Sequence, residues 1–305
     1  MKILITGANG FIGKHLVKEM LNHGHEVFAI VTNLEDLSDL ICDKLHCYEL
    51  FFDDYKSMSS IIGTSIDLVY HLAWSGLCGA EAKNVDIQVE NIKALSALLL
   101  EVKKMNVKKF IFSSTMNTID LKKVLDNPIS YSLRGTYIHV SAKLMAEVVA
   151  RAYCEENNID YNQGIIAMTY GPGNKSKMIS NLFIYNIINN IPPKMIEGKN
   201  QYDVIFVNDV ASALRLIGEN GINKKSYYIG HNWNKTFKEI FTEIRDILNP
   251  SLPILFGQYK DESFFDFSKI DRDELKRDTG WEPVYDFKQS IIETANWINK
   301  SGLKF

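Results

Sequence analysis

A doubly wound parallel sheet with helices on both faces, followed by a smaller C-terminal α/β lobe, is the architecture that this 305-residue sequence predicts. Three observations carry the expectation. The chain opens with an apolar strand that runs directly into a turn holding Gly7, Gly10 and Gly13. Short apolar segments rich in β-branched and aromatic residues then alternate with segments of helical periodicity as far as Ser114. The composition, 46% hydrophobic and 23% charged, is that of a globular chain long enough to bury a large core. Strands joined by helical crossovers pair in parallel and carry helices on both sides.

The same composition excludes several classes. A net charge of -3 with scattered lysines gives no basic footprint for nucleic acid. No apolar run approaches the roughly 18 residues of a membrane span, and the N-terminus enters its strand without a charged leader, so a cytoplasmic protein is expected. The four cysteines, Cys42, Cys47, Cys78 and Cys154, are spaced too irregularly for a zinc site and too sparsely for a disulfide framework. No metal is expected.

Taken in order, Lys2 to Thr6 read as a strand buried on both faces, and residues 11–21 repeat apolar side chains at helical spacing. The glycines therefore stand where a strand becomes a helix. Gly7 permits a tight turn, Gly10 lets backbone N–H groups approach a pyrophosphate, and Gly13 lets the helix lie close to the sheet. The helix N-terminus adds partial positive charge. With Asn9, Phe11 and Ile12 the turn predicts a dinucleotide site. Its wording, TGANGFIG, resembles the extended short-chain dehydrogenase/reductase family, the nucleotide-sugar epimerases, dehydratases and reductases, and so implies a Rossmann-type domain.

Glu26 to Val31 form a second buried strand. In a dinucleotide fold an acid at its end bonds the adenosine ribose and repels a 2′-phosphate. Here that end is Val31-Thr32-Asn33, with Glu35 and Asp36 arriving only later, so the expected cofactor is NADP or NAD, with NADP bound at least as well, against Thr32 and Asn33. A third strand spans 46–52, and Asp53 or Asp54 after it is the candidate for the adenine amine. A fourth, 66–73, ends in the family's wording His71-Leu72-Ala73, which places Leu72, Ala73 and Trp74 beside the cofactor and Trp74 also beside the substrate.

The long helix near 84–105 holds Asn91, where the resemblance puts an asparagine at the cofactor. Its apolar stripe, with leucines at 98, 99 and 100, is wider than one core face requires. Relatives pair this helix with the one carrying Lys143 across a two-fold axis, which implies a homodimer; Leu99 is the position expected on that face. The fifth strand, 107–114, carries Ser113 at the cofactor and leads to Thr115, whose hydroxyl the resemblance puts on the reacting sugar oxygen. Met116-Asn117 occupy the place of the Asp-Glu pair of sugar 4,6-dehydratases, so dehydration lacks its proton-transfer groups.

The family then places Tyr-x-x-x-Lys on the next helix, two residues on one face. The lysine's charge lowers the phenol's pKa, and the phenolate exchanges a proton with the sugar hydroxyl. This chain has Lys143, but His139 stands four residues before it. Tyr137 is about 240° around the helix from Lys143. Three readings stay open: His139 is the acid/base, Tyr131 or Tyr137 enters from the loop, or the site binds nucleotide without turnover.

From Ile159 onward the family wording returns, with Tyr170-Gly171-Pro172-Gly173 preceded by Met168. Asn181, on the helix near 179–189, is a further candidate for the substrate. Tyr202 occupies the place of an arginine that grips the substrate's diphosphate. The domains expected are 1–163 for the cofactor, with a segment near 203–232 returning to it, and 164–305 for the substrate. The function implied is NAD(P)-dependent reduction of a 4-keto-sugar nucleotide. Epimerisation of a nucleotide-sugar and a non-catalytic dinucleotide sensor are the alternatives.

Overall fold

The computed structural model describes residues 1–126, 133–261, 265 and 267–304. In chain order the first half contains β1 (Lys2–Thr6), α1 (Phe11–Asn22), β2 (Glu26–Val31), β3 (Leu45–Glu49), α2 (Met58–Ile62), β4 (Leu68–His71), α3 (Val85–Lys104), β5 (Lys109–Thr115), α4 (Asn117–Asp126), α5 (Tyr137–Glu156) and β6 (Asp160–Ile166). The second half contains β7 (Met168–Tyr170), α6 (Ile179–Ile188), β8 (Lys194–Ile196), β9 (Val204–Phe206), α7 (Val207–Asn220), β10 (Ser226–Ile229), α8 (Phe237–Leu248), β11 (Leu255–Tyr259), α9 (Glu274–Thr279) and α10 (Phe287–Ser301).

Seven parallel strands form the main sheet in the order β10-β6-β5-β4-β1-β2-β3. The doubly wound fold expected from the sequence is the fold observed. Strand order reverses beside β1, which has β2 on one side and β4 on the other, and ligands in such sheets bind beyond the carboxyl ends at that reversal.

Alternation along each strand decides which layer a side chain joins. Ile3, Ile5, Val27 and Ala29 face Leu16, Val17 and Met20 of α1 and Leu214 and Ile217 of α7. Leu4, Phe28 and Ile30 point the other way, toward Leu95, Leu98 and Leu99 of α3 and Ala146, Ala150 and Cys154 of α5. The small residues on α5 let that helix lie close to the sheet. Each fully buried Leu or Ile contributes about 1.5–3 kcal/mol of transfer free energy, which both layers need to hold the central strands.

The later elements add two short two-stranded sheets, β7 paired with β9 and β8 with β11, while Phe183, Phe237 and Phe241 form an aromatic centre, edge-to-face between Phe183 and Phe241 and stacked between Phe237 and Phe241. That centre is continuous with the α1–α7 layer. The chain leaves the sheet after β6 and returns at β10, which pairs with β6 as the outermost strand.

Two local expectations change. The third strand ends at Glu49, because Phe52 opens a 3₁₀ turn, Phe52–Ser57. Of the three consecutive leucines on α3, Leu98 and Leu99 are buried in the chain's own core, and Leu100 is the exposed one, at 56%. The surface position sought at Leu99 is therefore Leu100, since 100° per residue turns the stripe past the sheet by then.

Candidate active site

The first site element is the junction of β1 and α1. Gly7 has φ +68°, and a Cβ there would meet the Ala73 nitrogen at 2.7 Å. A Cβ on Gly13 would meet the Gly7 carbonyl oxygen at 2.1 Å. The turn is thus packed against the exit of β4, Leu72-Ala73, and the helix against the turn. Gly10 is the N-cap and brings no capping side chain, so the first-turn N–H groups around Phe11 and Ile12 face the junction without a side-chain acceptor. This arrangement fits a pyrophosphate.

Asn9 ties the turn to the end of β2. Its Nδ2 donates to Thr32 Oγ1 at 3.1 Å and to Asp36 Oδ2 at 2.8 Å. Asp36 comes from a 3₁₀ turn, Leu34–Leu40, whose N-cap Asn33 accepts from the Glu35 N–H at 3.1 Å. Lys14 holds the same turn through the Asp36 carbonyl at 2.8 Å. The carboxylate missing from the strand end is therefore delivered by the next turn. Asn33 followed by two acids is a cap pattern that could have announced it. Near β3, Asp54 accepts from the Phe51 N–H at 2.9 Å, which leaves Asp53 as the exposed carboxylate.

The second element lies at the carboxyl ends of β4 and β5. Lys143 Nζ donates to the Ser113 carbonyl at 3.0 Å and stands 4.0 Å from the Trp74 ring centroid and 5.0 Å from that of Phe112. The side chain is buried, and among the described residues no carboxylate pairs with it. Burial pulls its ammonium down to about 7. Ser113 Oγ bonds the His71 carbonyl at 3.1 Å, so Ser113 meets Lys143 through its backbone. His71 is buried and held neutral, its pKa driven down to about 3 by burial and then by Lys143.

His139 stands one turn from Lys143 on α5, buried, with its ring edge-on to Trp74 at 6.0 Å. Burial, and then the nearby ammonium, push its imidazole down to about 4. Its Nδ1 is 3.3 Å from Gln88 Oε1, which also accepts from Trp74 Nε1 at 2.9 Å. Asn91, one turn further along α3, accepts from the Ser75 N–H at 2.7 Å and donates to the Ser75 carbonyl at 2.9 Å. It fixes the loop after β4 rather than offering free groups. Thr115 is half-buried at the end of β5, its Oγ1 accepting from the Asn117 side chain at 3.3 Å.

The loop tyrosines separate. Tyr137 is buried, its hydroxyl 2.8 Å from Asp120 and 2.7 Å from Arg134, and burial raises its pKa to about 12. Tyr137 thus serves the contact between α4 and α5. Tyr131 lies outside the described residues.

Three substrate candidates are interior. Met116 is in the core, and its N–H continues the ladder to the Ile166 carbonyl at 3.0 Å; alternation turns it inward once Thr115 points to the mouth. Asn181 is fully buried and holds the loop before α6 through the carbonyls of Asn174 at 2.8 Å and Ser176 at 2.9 Å. Tyr202 is buried between Phe237 and Phe265, with ring centroids at 5.1 and 5.6 Å, an aromatic contact where a cation was implied. Met168 remains half-buried on β7. Gln88 was missed from sequence; its signal was one amide inside an apolar stripe, three residues before Asn91.

Residues 3–230 match the profile of the NAD dependent epimerase/dehydratase family. The CDP-abequose synthase of Salmonella typhimurium is 26% identical over 95% of this chain and 96% of its own length. The dTDP-4-dehydro-6-deoxyglucose reductase of Escherichia coli is 25% identical over 83% of this chain and 84% of its own. dTDP-glucose 4,6-dehydratases of Mycolicibacterium smegmatis and Escherichia coli fall in the same range, at 23% and 22%. Among solved structures, UDP-glucuronic acid 4-epimerase of Bacillus cereus in complex with NAD superposes with a TM-score of 0.79 at 19% identity, covering 99% of both chains.

Proposed function

The chain belongs to the NAD dependent epimerase/dehydratase family, and from that premise we propose that it reduces a 4-keto-sugar linked to a nucleotide. The carrying observation is that Lys143 and His139, one turn apart on α5, both meet Trp74 beyond β4, with Thr115 at the end of β5 and Met116 and Asn117 where a dehydratase needs its acid pair. Without that pair the site retains groups for moving one hydride and one proton at a single carbon.

The glycine turn and the uncapped start of α1 would hold the dinucleotide's pyrophosphate, and when bound the dinucleotide supplies the hydride carrier. A carboxylate at Asp36, held against the glycine turn beside Thr32, favours a ribose with free hydroxyls and repels an added phosphate. NAD is therefore the cofactor we propose, against the preference for NADP that the strand end alone suggests. Lys143 supplies positive charge beside the oxygen on which negative charge develops during reduction. Thr115 orients that oxygen. His139 gives its proton as imidazolium, or in the reverse direction takes one as neutral imidazole.

Exposed Val85, Val89 and Leu100 on α3, with Met145 and Val148 on α5, form an apolar face away from the sheet. A second copy across this face is the assembly we propose.

The test is a panel of CDP-, dTDP- and UDP-linked 4-keto-6-deoxy sugars with NADH or NADPH. Oxidation of the reduced dinucleotide with one of them is expected. Interconversion of two sugar epimers without net dinucleotide turnover would replace reduction by epimerisation. A bound dinucleotide with no sugar-nucleotide affinity by calorimetry would overturn the enzymatic reading.

A further inference from the structure

The geometry points to Gln88 as a positioning residue that fixes His139 as the Nδ1–H tautomer and leaves Nε2 as the nitrogen that exchanges the proton. The inference rests on the proposed role of His139. It adds an assignment of which ring nitrogen acts and what selects it.

The assignment follows from counting donors. Gln88 is buried at 2% exposure in α3. Its amide Nε2 faces three backbone carbonyls: Gly76 at 2.9 Å, and Ser75 and Glu81 at 3.4 Å each. Only a donor can face three acceptors, so the orientation of the amide is decided. Its Oε1 then meets the Trp74 indole N–H at 2.9 Å, and an indole nitrogen can only donate. Oε1 has a second lone pair, and the atom that meets it is His139 Nδ1 at 3.3 Å. An unprotonated Nδ1 would set two lone pairs against each other, so Nδ1 carries the proton. In the neutral ring Nε2 is then bare.

The neighbours give His139 no other instruction. Lys143, one turn along the same helix, is the charged group that acts on it. From the loop before α3, Glu81 contributes its backbone carbonyl to Gln88. His71, on β4, is itself held neutral. Trp74 meets the histidine through its ring and Gln88 through its N–H. Gln88 thus couples the indole that lies on Lys143 to the imidazole, and both are oriented by the loop at 75–81 that the same amide holds.

The test is ¹⁵N NMR of the full-length protein labelled at histidine, which distinguishes the two neutral tautomers without any substrate. The wild-type His139 signal should show Nδ1–H and a bare Nε2; the opposite pattern overturns the inference. Gln88→Met keeps the volume and removes the acceptor, and should shift the tautomer ratio roughly three- to tenfold toward Nε2–H, the worth of one hydrogen bond. Retention of Nδ1–H in that variant also overturns it. Trp74→Phe provides the control, because the three carbonyls still pin the amide and the tautomer should not move; movement there would place the selection in Trp74 instead. Reductive kcat of Gln88→Met should fall with the tautomer shift while dinucleotide affinity holds. If the tautomer shifts as expected and kcat does not, the assignment of Gln88 stands and the catalytic role of His139 fails.

Discussion

Replacing His139 is the sharpest perturbation, because the chemistry assigned to it has a definite dependence on pH. With its pKa near 4, the imidazolium that reduction needs is present in about one molecule in a thousand at pH 7 and becomes about tenfold more abundant for each unit of acid. Lys143 titrates near 7, so its ammonium is increasingly lost above that value. The logarithm of reductive kcat should therefore rise with a slope of about one per pH unit between roughly pH 7 and 5.5, and should fall more steeply above 7, where two protons are required. Oxidation of the product alcohol needs neutral His139 and should be flat over the acid part of that range. His139→Ala should lose roughly 10² or more in kcat, with dinucleotide affinity nearly unchanged. His139→Tyr should keep turnover and lose the acid limb. The assay is steady-state oxidation of reduced dinucleotide at saturating keto-sugar nucleotide across the pH series. If His139→Ala keeps both the rate and the acid limb, the proton comes from elsewhere and the assignment fails.

NAD(H) should bind more tightly than NADP(H) by on the order of tenfold, about 1.4 kcal/mol, and Asp36→Ala should narrow the gap; equal affinities in the wild type by calorimetry would remove Asp36 from the argument. Leu100→Glu should give a folded monomer by light scattering, its melting temperature lowered only by the lost association, whereas Leu99→Glu, buried against the sheet, should unfold the chain. Stability should respond to acid through opposed groups. His71 and His139 have folded pKa values below the ordinary 6.5, so the unfolded chain takes up protons first and stability falls as pH drops from 6.5 toward 4. Asp203 and Asp209 are raised by burial to about 6, so the folded chain takes up protons first and stability rises from 6 toward 3.8. Asp209→Asn should therefore steepen the acid loss in urea titrations; an unchanged slope would mean that Asp209 is already neutral at pH 7 or titrates normally.

The fold was legible because strands buried on both faces read as unbroken apolar runs, and because glycines at 7 and 13 sit where only a missing Cβ fits. The strand end after Val31 carries no acid, and Asp36, on which our proposal of NAD rests, is brought back by a 3₁₀ turn held through Asn33 and Lys14, contacts that no periodicity reports. Resemblance could set Met116, Asn181 and Tyr202 at family positions, but which way each side chain points depends on alternation and on local partners. Gln88 showed in the sequence only as a lone amide in an apolar stripe, and its role could not be read there, because it depends on three carbonyls from a loop of irregular backbone.

The return of the chain to the sheet at β10 bears on how the protein is made. Translation delivers β6 at residues 160–166, yet the strand that covers its outer edge is completed only at Ile229. For about the time needed to add sixty residues, several seconds at ordinary elongation rates of roughly 5–20 residues per second, the nascent sheet on the ribosome presents an unpaired parallel edge. Such an edge recruits other strands. A chaperone that holds the emerging segment until α7 docks and β10 closes the edge would raise the yield of soluble protein, and a slow codon cluster placed between the two strands would lower it.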